Sequence, residues 1–149
     1  MAVKNKVEAA RISAAGILFV HKGKFLLVYR STEVTDPSLW CGAGGKIEQG
    51  ESPEEAALRE AQEEIAFPKG HSVELAPLFK YESDDLVFYN FLGILHDDTF
   101  QPFLNWESDG YAWFTPDKLP NNLHYGFEAI MDDKDARSML EDALQPTTV

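Results

Sequence analysis

Three glutamates, Glu60, Glu63 and Glu64, have the spacing in this sequence that is best suited to chemistry. Positions i, i+3 and i+4 of a helix lie on one side of it, so the three carboxylates are predicted to project from one patch. Like charges one turn apart repel each other, and a hard divalent cation would remove that repulsion. Carboxylate oxygens are the ligands that Mg²⁺ and Mn²⁺ prefer, and Mg²⁺ in phosphate chemistry is held by a few carboxylates together with substrate oxygens. The patch therefore predicts a metal site for a phosphate-containing substrate.

The helix that must carry these glutamates is marked by a clear start signal. Ser52 is a good N-cap, Pro53 suits the first helical position, and Glu55 completes a capping box with Ser52. From there to Ile65 the residues are mostly strong helix formers. An apolar stripe at three- and four-residue steps is predicted to face the core, formed by Ala57, Leu58, Ala61 and Ile65.

A glycine pair, Gly44 and Gly45, stands a short loop ahead of this helix. Glycine has no Cβ, so the pair permits a tight turn and a close approach of the backbone to a ligand. Gly45 is therefore a candidate substrate-binding residue.

The stretch 45–67 resembles the Nudix box, Gly-x5-Glu-x7-Arg-Glu-U-x-Glu-Glu-x-Gly-U, in which U is a bulky apolar residue. The matching residues are Gly45, Glu51, Arg59, Glu60, Glu63, Glu64 and Phe67. Two residues depart from the box, since Ala61 is small where a larger aliphatic residue is usual and Ala66 replaces the glycine after the helix. Alanine in a left-handed cap costs roughly 1–2 kcal/mol. Pro68 offers another way to end the helix, because it pushes the residue before it toward extended geometry.

The resemblance implies roles for the charged residues of the box. It implies that Glu63 and Glu64 are the principal metal ligands, and that Glu60 is a third ligand or the group that activates water. It also implies that Arg59 pairs with the loop glutamate Glu51 and so holds the carboxylates in place.

Further site residues are implied outside the helix. The main-chain carbonyl of Gly44, the residue before the box glycine, is implied as a metal ligand. In Nudix proteins a basic residue at the end of the second strand meets substrate phosphate, and Arg30 stands at that place; the sequence leaves open whether Arg30 is instead an ordinary surface residue at a strand end. A further carboxylate often comes from a loop ahead of a tryptophan-bearing strand, which points to Glu107 as a metal ligand or base, with Asp109 as its competitor. The sequence leaves open whether Glu107 is instead loop surface, and which carboxylate is the general base.

Alternating apolar runs predict the elements around the box. Residues 12–20 and 25–30 form one β-hairpin, and residues 75–81 and 86–95 form a second. A loop at 31–39, a strand at 111–114, a turn or short helix at 116–120 and a helix at 126–144, with a break at Asp132–Asp133, complete the prediction. The resemblance implies an α/β fold, namely an α/β/α sandwich with a mixed β-sheet and the box helix packed on one face.

Composition and charge limit the class of protein. A chain of 149 residues with 44% apolar and 12% aromatic residues predicts one globular domain over 1–149, with a frayed tail at 145–149. The net charge of −12 argues against nonspecific nucleic-acid binding. No secretory signal is convincing, and no segment approaches the roughly 20 apolar residues that span a bilayer. Cys41 is the only cysteine, which excludes an internal disulfide framework and fits a cytoplasmic protein.

Metal-dependent hydrolysis of a pyrophosphate linkage in a nucleoside diphosphate derivative is the activity that the resemblance implies. Its cofactor is Mg²⁺, with Mn²⁺ as a substitute, and its partner is a small nucleotide; a homo-oligomer is compatible with the sequence. The leading substrates are ADP-ribose, nucleotide sugars and dinucleoside polyphosphates.

Two alternatives stay open at this point. One is a (deoxy)nucleoside triphosphate pyrophosphatase that acts on normal or oxidised nucleotides, and the more remote one is a non-catalytic Nudix-fold binding module, which usually lacks the box glutamates. His124 precedes a helix that could border the pocket. Aromatic residues that could stack on a nucleobase are Tyr89, Trp106, Tyr111 and Tyr125.

Overall fold

The computed structural model describes residues 11–96 and 98–145, so most of the predicted frayed tail and the first ten residues of the predicted domain lie outside the described residues. The strands are β1 Ile12–His21, β2 Lys24–Arg30, β3 Trp40–Cys41, β4 Ala43–Lys46, β5 Glu74–Glu82, β6 Leu86–Ile94 and β7 Ser108–Phe114. The helices are α1 Pro53–Ile65, α2 Tyr125–Asp132 and α3 Lys134–Leu144, with one 3₁₀ turn at Pro116–Lys118. None of these helices is long and apolar enough to cross a membrane.

All seven strands belong to one mixed sheet. β1 lies at its centre, parallel to β6 along Ile12–Val20 and antiparallel to β2 at one end and to β4 at the other. β5 pairs with the far side of β6, while β3 and β7 pair with β2. The two predicted hairpins and the mixed sheet are confirmed.

Helices cover both faces of the sheet. Successive side chains of a strand point to opposite faces, so Ile17 of β1 packs with Ala61 of α1 while the next residue, Leu18, packs with Phe127 of α2. A strand covered on both faces reads as a continuous apolar run, and β1 is buried throughout 14–20. The predicted α/β/α layering, with the box helix on one face, is therefore confirmed.

Helix α1 begins where the sequence predicts. The hydroxyl of Ser52 accepts from the backbone N–H of Glu55 at 3.1 Å, and the Glu55 carboxylate accepts from the N–H of Ser52 at 2.8 Å. Three residues of the predicted stripe are buried and Leu58 is partly buried. The start of the helix and its core-facing stripe are both confirmed.

The short strands β3 and β4 are not predicted from the sequence, which gives this stretch as an approach to the box. The glycines there carry no β-strand preference, so the pairing comes from their neighbours in the fold rather than from local preference. A Cβ at Gly44 would lie 2.8 Å from the Cα of Gly16 on β1. The two backbones therefore approach so closely that neither glycine has room for a side chain.

The C-terminal helical region divides at the predicted break. Asp133 lies between α2 and α3, and its side chain accepts from the N–H of Ala136, which caps the second helix. Strand β7 begins at Ser108, three residues before the predicted start.

Ala66 ends α1 in the left-handed conformation that the box glycine would adopt. Its φ and ψ are 58° and 38°, and its N–H donates to the carbonyl of Ala61. The helix therefore ends in a left-handed cap in spite of the alanine, and Pro68 does not replace that cap.

Replacing Ala66 by glycine is expected to raise the free energy of unfolding by about 1 kcal/mol, because glycine adopts this conformation without a Cβ clash. Urea unfolding measures the change, with an unchanged m-value as the sign of a purely energetic effect. Ala129→Gly inside α2 is the matched control and should lower the free energy of unfolding. A lower value for Ala66→Gly as well would contradict the strain assigned to Ala66.

Candidate active site

The glycine pair of β4 lies directly against two glutamates of α1. The N–H of Gly44 lies 3.1 Å and 3.3 Å from the two carboxylate oxygens of Glu64. A Cβ at Gly45 would lie 2.5 Å from the carboxyl carbon of Glu60. Glycine is therefore required at position 45 for Glu60 to keep its place.

Arg59 joins the loop before α1 to the carboxylates on the helix. Its Nε and Nη2 donate to the two oxygens of Glu51 at 2.6 and 3.0 Å, the bidentate geometry that makes such pairs strong. Its Nη1 lies 3.1 Å from Glu60 and 3.2 Å from Glu63. The hydrogen bond from Arg59 lowers the pKa of Glu51, so that carboxylate is charged at neutral pH.

The three helix glutamates lie at different depths, whereas the spacing predicts a single patch. Glu64 is only 5% exposed because β4 covers it, and the side chain of Glu60 is 13% exposed. The Glu63 side chain is 55% exposed, so only Arg59 ties it to the other two. Positions along a helix set the direction of a side chain but not what packs over it.

Burial and like charge act together on the inner pair. The pKa of Glu64 is raised to about 8, mainly by burial and then by the charges of Glu107 and Glu60, while the hydrogen bond from the Gly44 N–H opposes this rise. Burial also raises the pKa of Glu60, against the hydrogen bond from Arg59. Glu64 therefore holds a proton at neutral pH in the metal-free protein.

Glu107 is brought to these carboxylates by a loop that docks on the end of α1. The N–H of Asn105 donates to the carbonyl of Glu64, and the Asn105 side chain donates to the Glu107 carboxylate at 3.1 Å. The backbone N–H of Ser31, just after β2, donates to the Glu107 carbonyl at 3.0 Å. Asp109, the predicted competitor, is exposed on β7.

The donor set suits a divalent cation. Among residues 11–96 and 98–145, no group of three or more Asp, Glu, His or Cys side chains forms a cage that could hold a metal ion. Mg²⁺ keeps several waters and takes one or two carboxylates plus substrate phosphates, so it does not require a cage. The carboxylates of Glu60, Glu64 and Glu107 repel one another, and a divalent cation bound between them would neutralise that repulsion. The carbonyl of Gly44 and the carboxylate of Glu63 stay predicted ligands.

A mostly apolar cavity lies between the sheet and α2, on the face of the sheet opposite to α1. It adjoins the acidic cluster. Gly44 belongs to its wall as well as to the acidic cluster, so the cavity and the cluster share β4. The other lining residues are Ile17, Leu18, Arg30, Cys41, Gly42, Ala43, Tyr81, Leu86, Phe88, Asn90, His124, Tyr125, Gly126, Phe127 and Ile130.

Arg30 supplies the only Lys or Arg side chain in the described lining of this cavity. Its Nε donates to the carbonyls of Thr35 and Asp36 at 2.8 and 3.0 Å, which holds the loop 31–39 beside the cavity. Its Nη1 lies 3.9 Å from the sulfur of Cys41. Burial raises the pKa of the Cys41 thiol to about 11, so this cysteine is not a nucleophile at neutral pH.

Of the aromatic residues predicted to stack on a base, Tyr125 lines the cavity. Tyr89 and Tyr111 pack against the core on the α1 face, and Trp106 is 66% exposed. His124, also in the lining, caps α2 by accepting from the N–H of Gly126 at 3.0 Å.

Sequence reasoning missed the part of β6 that faces the cavity. Leu86, Phe88 and Asn90 alternate along that strand, so all three belong to one face. The alternation itself could have shown that Asn90 is a polar residue on an otherwise apolar face.

The comparisons agree with this architecture. The family model for the NUDIX domain matches residues 9–135. A Nudix hydrolase from M. smegmatis, RenU, superimposes with a TM-score of 0.70 at 23% identity, over 93% of this chain and 90% of that one. A MutT NUDIX hydrolase from Burkholderia pseudomallei gives 0.65 at 20% identity, over 93% and 98% of the two chains. A C. elegans Ap4A hydrolase in a binary complex gives 0.57 at 22% identity, over 89% and 92%. At these identities the structural likeness concerns the fold.

Proposed function

The chain belongs to the Nudix family of pyrophosphohydrolases, and from that premise we propose that it hydrolyses ADP-ribose, nucleotide sugars or dinucleoside polyphosphates. One observation carries the proposal: β4 separates a cluster of carboxylates from a mostly apolar cavity and contacts both. A substrate that joins phosphates to a flat organic group has complementary chemistry on both sides of that strand. Mg²⁺ as the metal, Mn²⁺ as its substitute and a cytoplasmic location stay predictions.

In the proposed mechanism the carboxylates of Glu60, Glu64 and Glu107 would hold the metal, with Glu63 and the Gly44 carbonyl as further ligands. A divalent cation held there would supply charge that neutralises phosphate oxygens and would lower the pKa of a water molecule. A carboxylate that is not fully engaged in metal binding, Glu60 or Glu107, takes the proton of the attacking water.

Three other residues position this machinery. Arg59 fixes the carboxylates of Glu60 and Glu63 relative to the loop through its bidentate pair with Glu51. Arg30 brings positive charge to the cavity edge, where it binds substrate phosphate. Gly45 lets the phosphate chain approach the backbone closely.

The second candidate is a (deoxy)nucleoside triphosphate pyrophosphatase, and one observation favours it over a dinucleoside polyphosphate hydrolase. The apolar cavity described above adjoins the acidic cluster and offers a place for one nucleobase, which a nucleoside triphosphate supplies. A dinucleoside polyphosphate requires a place for its second base as well.

Hydrolysis across a panel of nucleotides distinguishes these substrates. The panel holds ADP-ribose, diadenosine polyphosphates, nucleotide sugars, NADH and normal and oxidised dNTPs, each with Mg²⁺, with Mn²⁺ and with chelator. Metal-dependent turnover of one group assigns the substrate class. Turnover of dNTPs alone would favour the second candidate, and no turnover of any nucleotide by the folded protein would contradict both.

Glu107→Gln is expected to lower turnover by roughly 10–100-fold, the usual cost of losing one partner of a metal site. Asp109→Asn makes the same chemical change on an exposed strand residue and is expected to leave turnover unchanged. Steady-state kinetics at saturating Mg²⁺ compares the two. The reverse pattern would show that Asp109 is the functional carboxylate of this region.

A further inference from the structure

The cavity beside β4 is built for a flat group. Phe88 lies on its sheet side and close to β4, since a Cβ built at Gly44 would lie 3.0 Å from the end of its ring. Tyr125 lies on its helix side, 49% exposed. Tyr81, also in the lining, lies beside Tyr125 with a ring-centroid distance of 6.2 Å. Aromatic residues in the lining on both the sheet side and the helix side are typical of a site for a planar ring.

Asn90 is the carboxamide in this aromatic lining. Among residues 11–96 and 98–145, its side chain has no hydrogen-bond partner, and since no buried side-chain nitrogen or oxygen is left unpaired there, its amide is accessible to solvent. It lies at the middle of β6, between Tyr89 and Phe91, on a strand that β1 and β5 hold from both sides. A half-buried amide held by a rigid strand, with its donors and its acceptor uncommitted, is available for a ligand.

The place of the cavity limits what that ligand is. Gly44 contributes to the cavity wall, and its N–H contacts the Glu64 carboxylate on the other side. A substrate whose phosphates lie at the carboxylates therefore extends its next group toward Phe88 and Asn90. In a nucleotide that group is the nucleoside, whose base has flat apolar faces and an edge of hydrogen-bond donors and acceptors.

We propose that Asn90 selects the nucleobase of the substrate by hydrogen bonds between its carboxamide and the polar edge of a base held between Phe88 and Tyr125. This inference rests on the proposed function, since it takes the acidic cluster as the place of the phosphates. Apolar walls discriminate weakly between bases of similar shape, whereas a hydrogen-bonding group rejects a base whose edge leaves it unpaired. Asn90 is thus a specificity-determining residue, not a catalytic one.

The test measures the base preference of three proteins: wild type, Asn90→Leu and Asn90→Asp. The substrates are sugar nucleotides with the same sugar and the four bases, and the quantity compared is the ratio of kcat/KM between the best and the poorest base. Asn90→Leu removes donors and acceptor at similar volume, and is expected to reduce that ratio about tenfold. Asn90→Asp keeps only acceptors, and is expected to shift the preference toward the bases that present an amino group, which are adenine, cytosine and guanine, and away from uracil.

Asn121→Leu and Asn121→Asp are the matched controls, because Asn121 is exposed and outside the cavity lining. Both are expected to keep the wild-type ratio. An unchanged ratio in both Asn90 variants, with metal-dependent turnover retained, would overturn the role of Asn90 and leave the proposed function standing.

If neither wild type nor any variant hydrolyses a nucleotide, a binding measurement tests the role of Asn90 separately from the proposed function. Calorimetry with the four nucleoside 5′-monophosphates then gives the base preference of wild type and of Asn90→Leu without hydrolysis. Preferential binding of one base that is lost in Asn90→Leu supports the inference even though the proposed substrates have failed. Equal binding of the four bases by wild type, or the same preference in both proteins, overturns it.

Discussion

Replacing Glu64 by glutamine is expected to reduce metal-dependent turnover by roughly a thousandfold. Charge stabilisation by a catalytic metal contributes several kcal/mol to such reactions, and the loss of a principal carboxylate ligand removes much of it. Glutamine has nearly the same shape, and its side-chain oxygen can still accept from the N–H of Gly44. The fold is therefore expected to persist, so the loss reports on chemistry.

The same substitution is expected to stabilise the metal-free protein at alkaline pH. The pKa of Glu64 is raised from 4.5 to about 8 by burial, so between those values the folded protein binds a proton that the unfolded chain has released. This group's contribution to the free energy of unfolding therefore falls as the pH rises from about 4.5 to about 8. Glutamine does not ionise, so the free energy of unfolding of the variant does not undergo this decrease, which is on the order of a few kcal/mol in wild type.

Kinetics and unfolding together measure both effects. Chemical denaturation with chelator at pH 5 and at pH 8.5 should show that the free energy of unfolding of Glu64→Gln increases relative to that of wild type as the pH rises. Glu141→Gln, on the exposed side of α3, is the matched control and should change neither turnover nor the pH dependence. Turnover near that of wild type would contradict the ligand role of Glu64. If the variant were less stable than wild type at both pH values, the lost turnover would instead be due to a damaged fold.

Part of this site is predictable from sequence because it depends on interactions between residues that are close together in the chain. The capping box fixes where α1 begins, and the residue spacing fixes the directions of Glu60 and Glu64 relative to each other. Depth is not local: Glu64 is buried because β4 passes over it, and β4 is a strand only because β1 pairs with it. No window of sequence around the helix contains that information.

The approach of Glu107 to the site shows the same limit. Its loop is fixed by hydrogen bonds to the end of α1 and to Ser31, residues far away in sequence. Resemblance to a family could point to Glu107, while the residues around it could not separate it from Asp109. Asn90 was missed for a related reason, since alternation gives the face of β6 but not the cavity that α2 forms above it.

Replacing Gly45 by alanine is expected to lower turnover about a hundredfold while the free energy of unfolding changes little. The added methyl group would lie 2.5–2.6 Å from the carboxylate atoms of Glu60, so that carboxylate must move. It is the end of a flexible side chain, so the movement costs the fold little. A displacement of about 1 Å in a catalytic group can cost about 10²-fold in rate.

Gly110→Ala tests whether the effect belongs to Glu60 rather than to any glycine of the sheet. Its added methyl group would meet only the Cβ of Tyr29 at 3.9 Å, an ordinary contact, so turnover and stability should both stay at wild-type values. Steady-state kinetics and urea unfolding of the two variants make the comparison. Turnover of Gly45→Ala equal to that of Gly110→Ala would show that the observed position of Glu60 is not the one that catalysis needs. A lower turnover with an unchanged free energy of unfolding would show instead that β4 positions this carboxylate. Position 45 would then require glycine because a side chain there displaces Glu60.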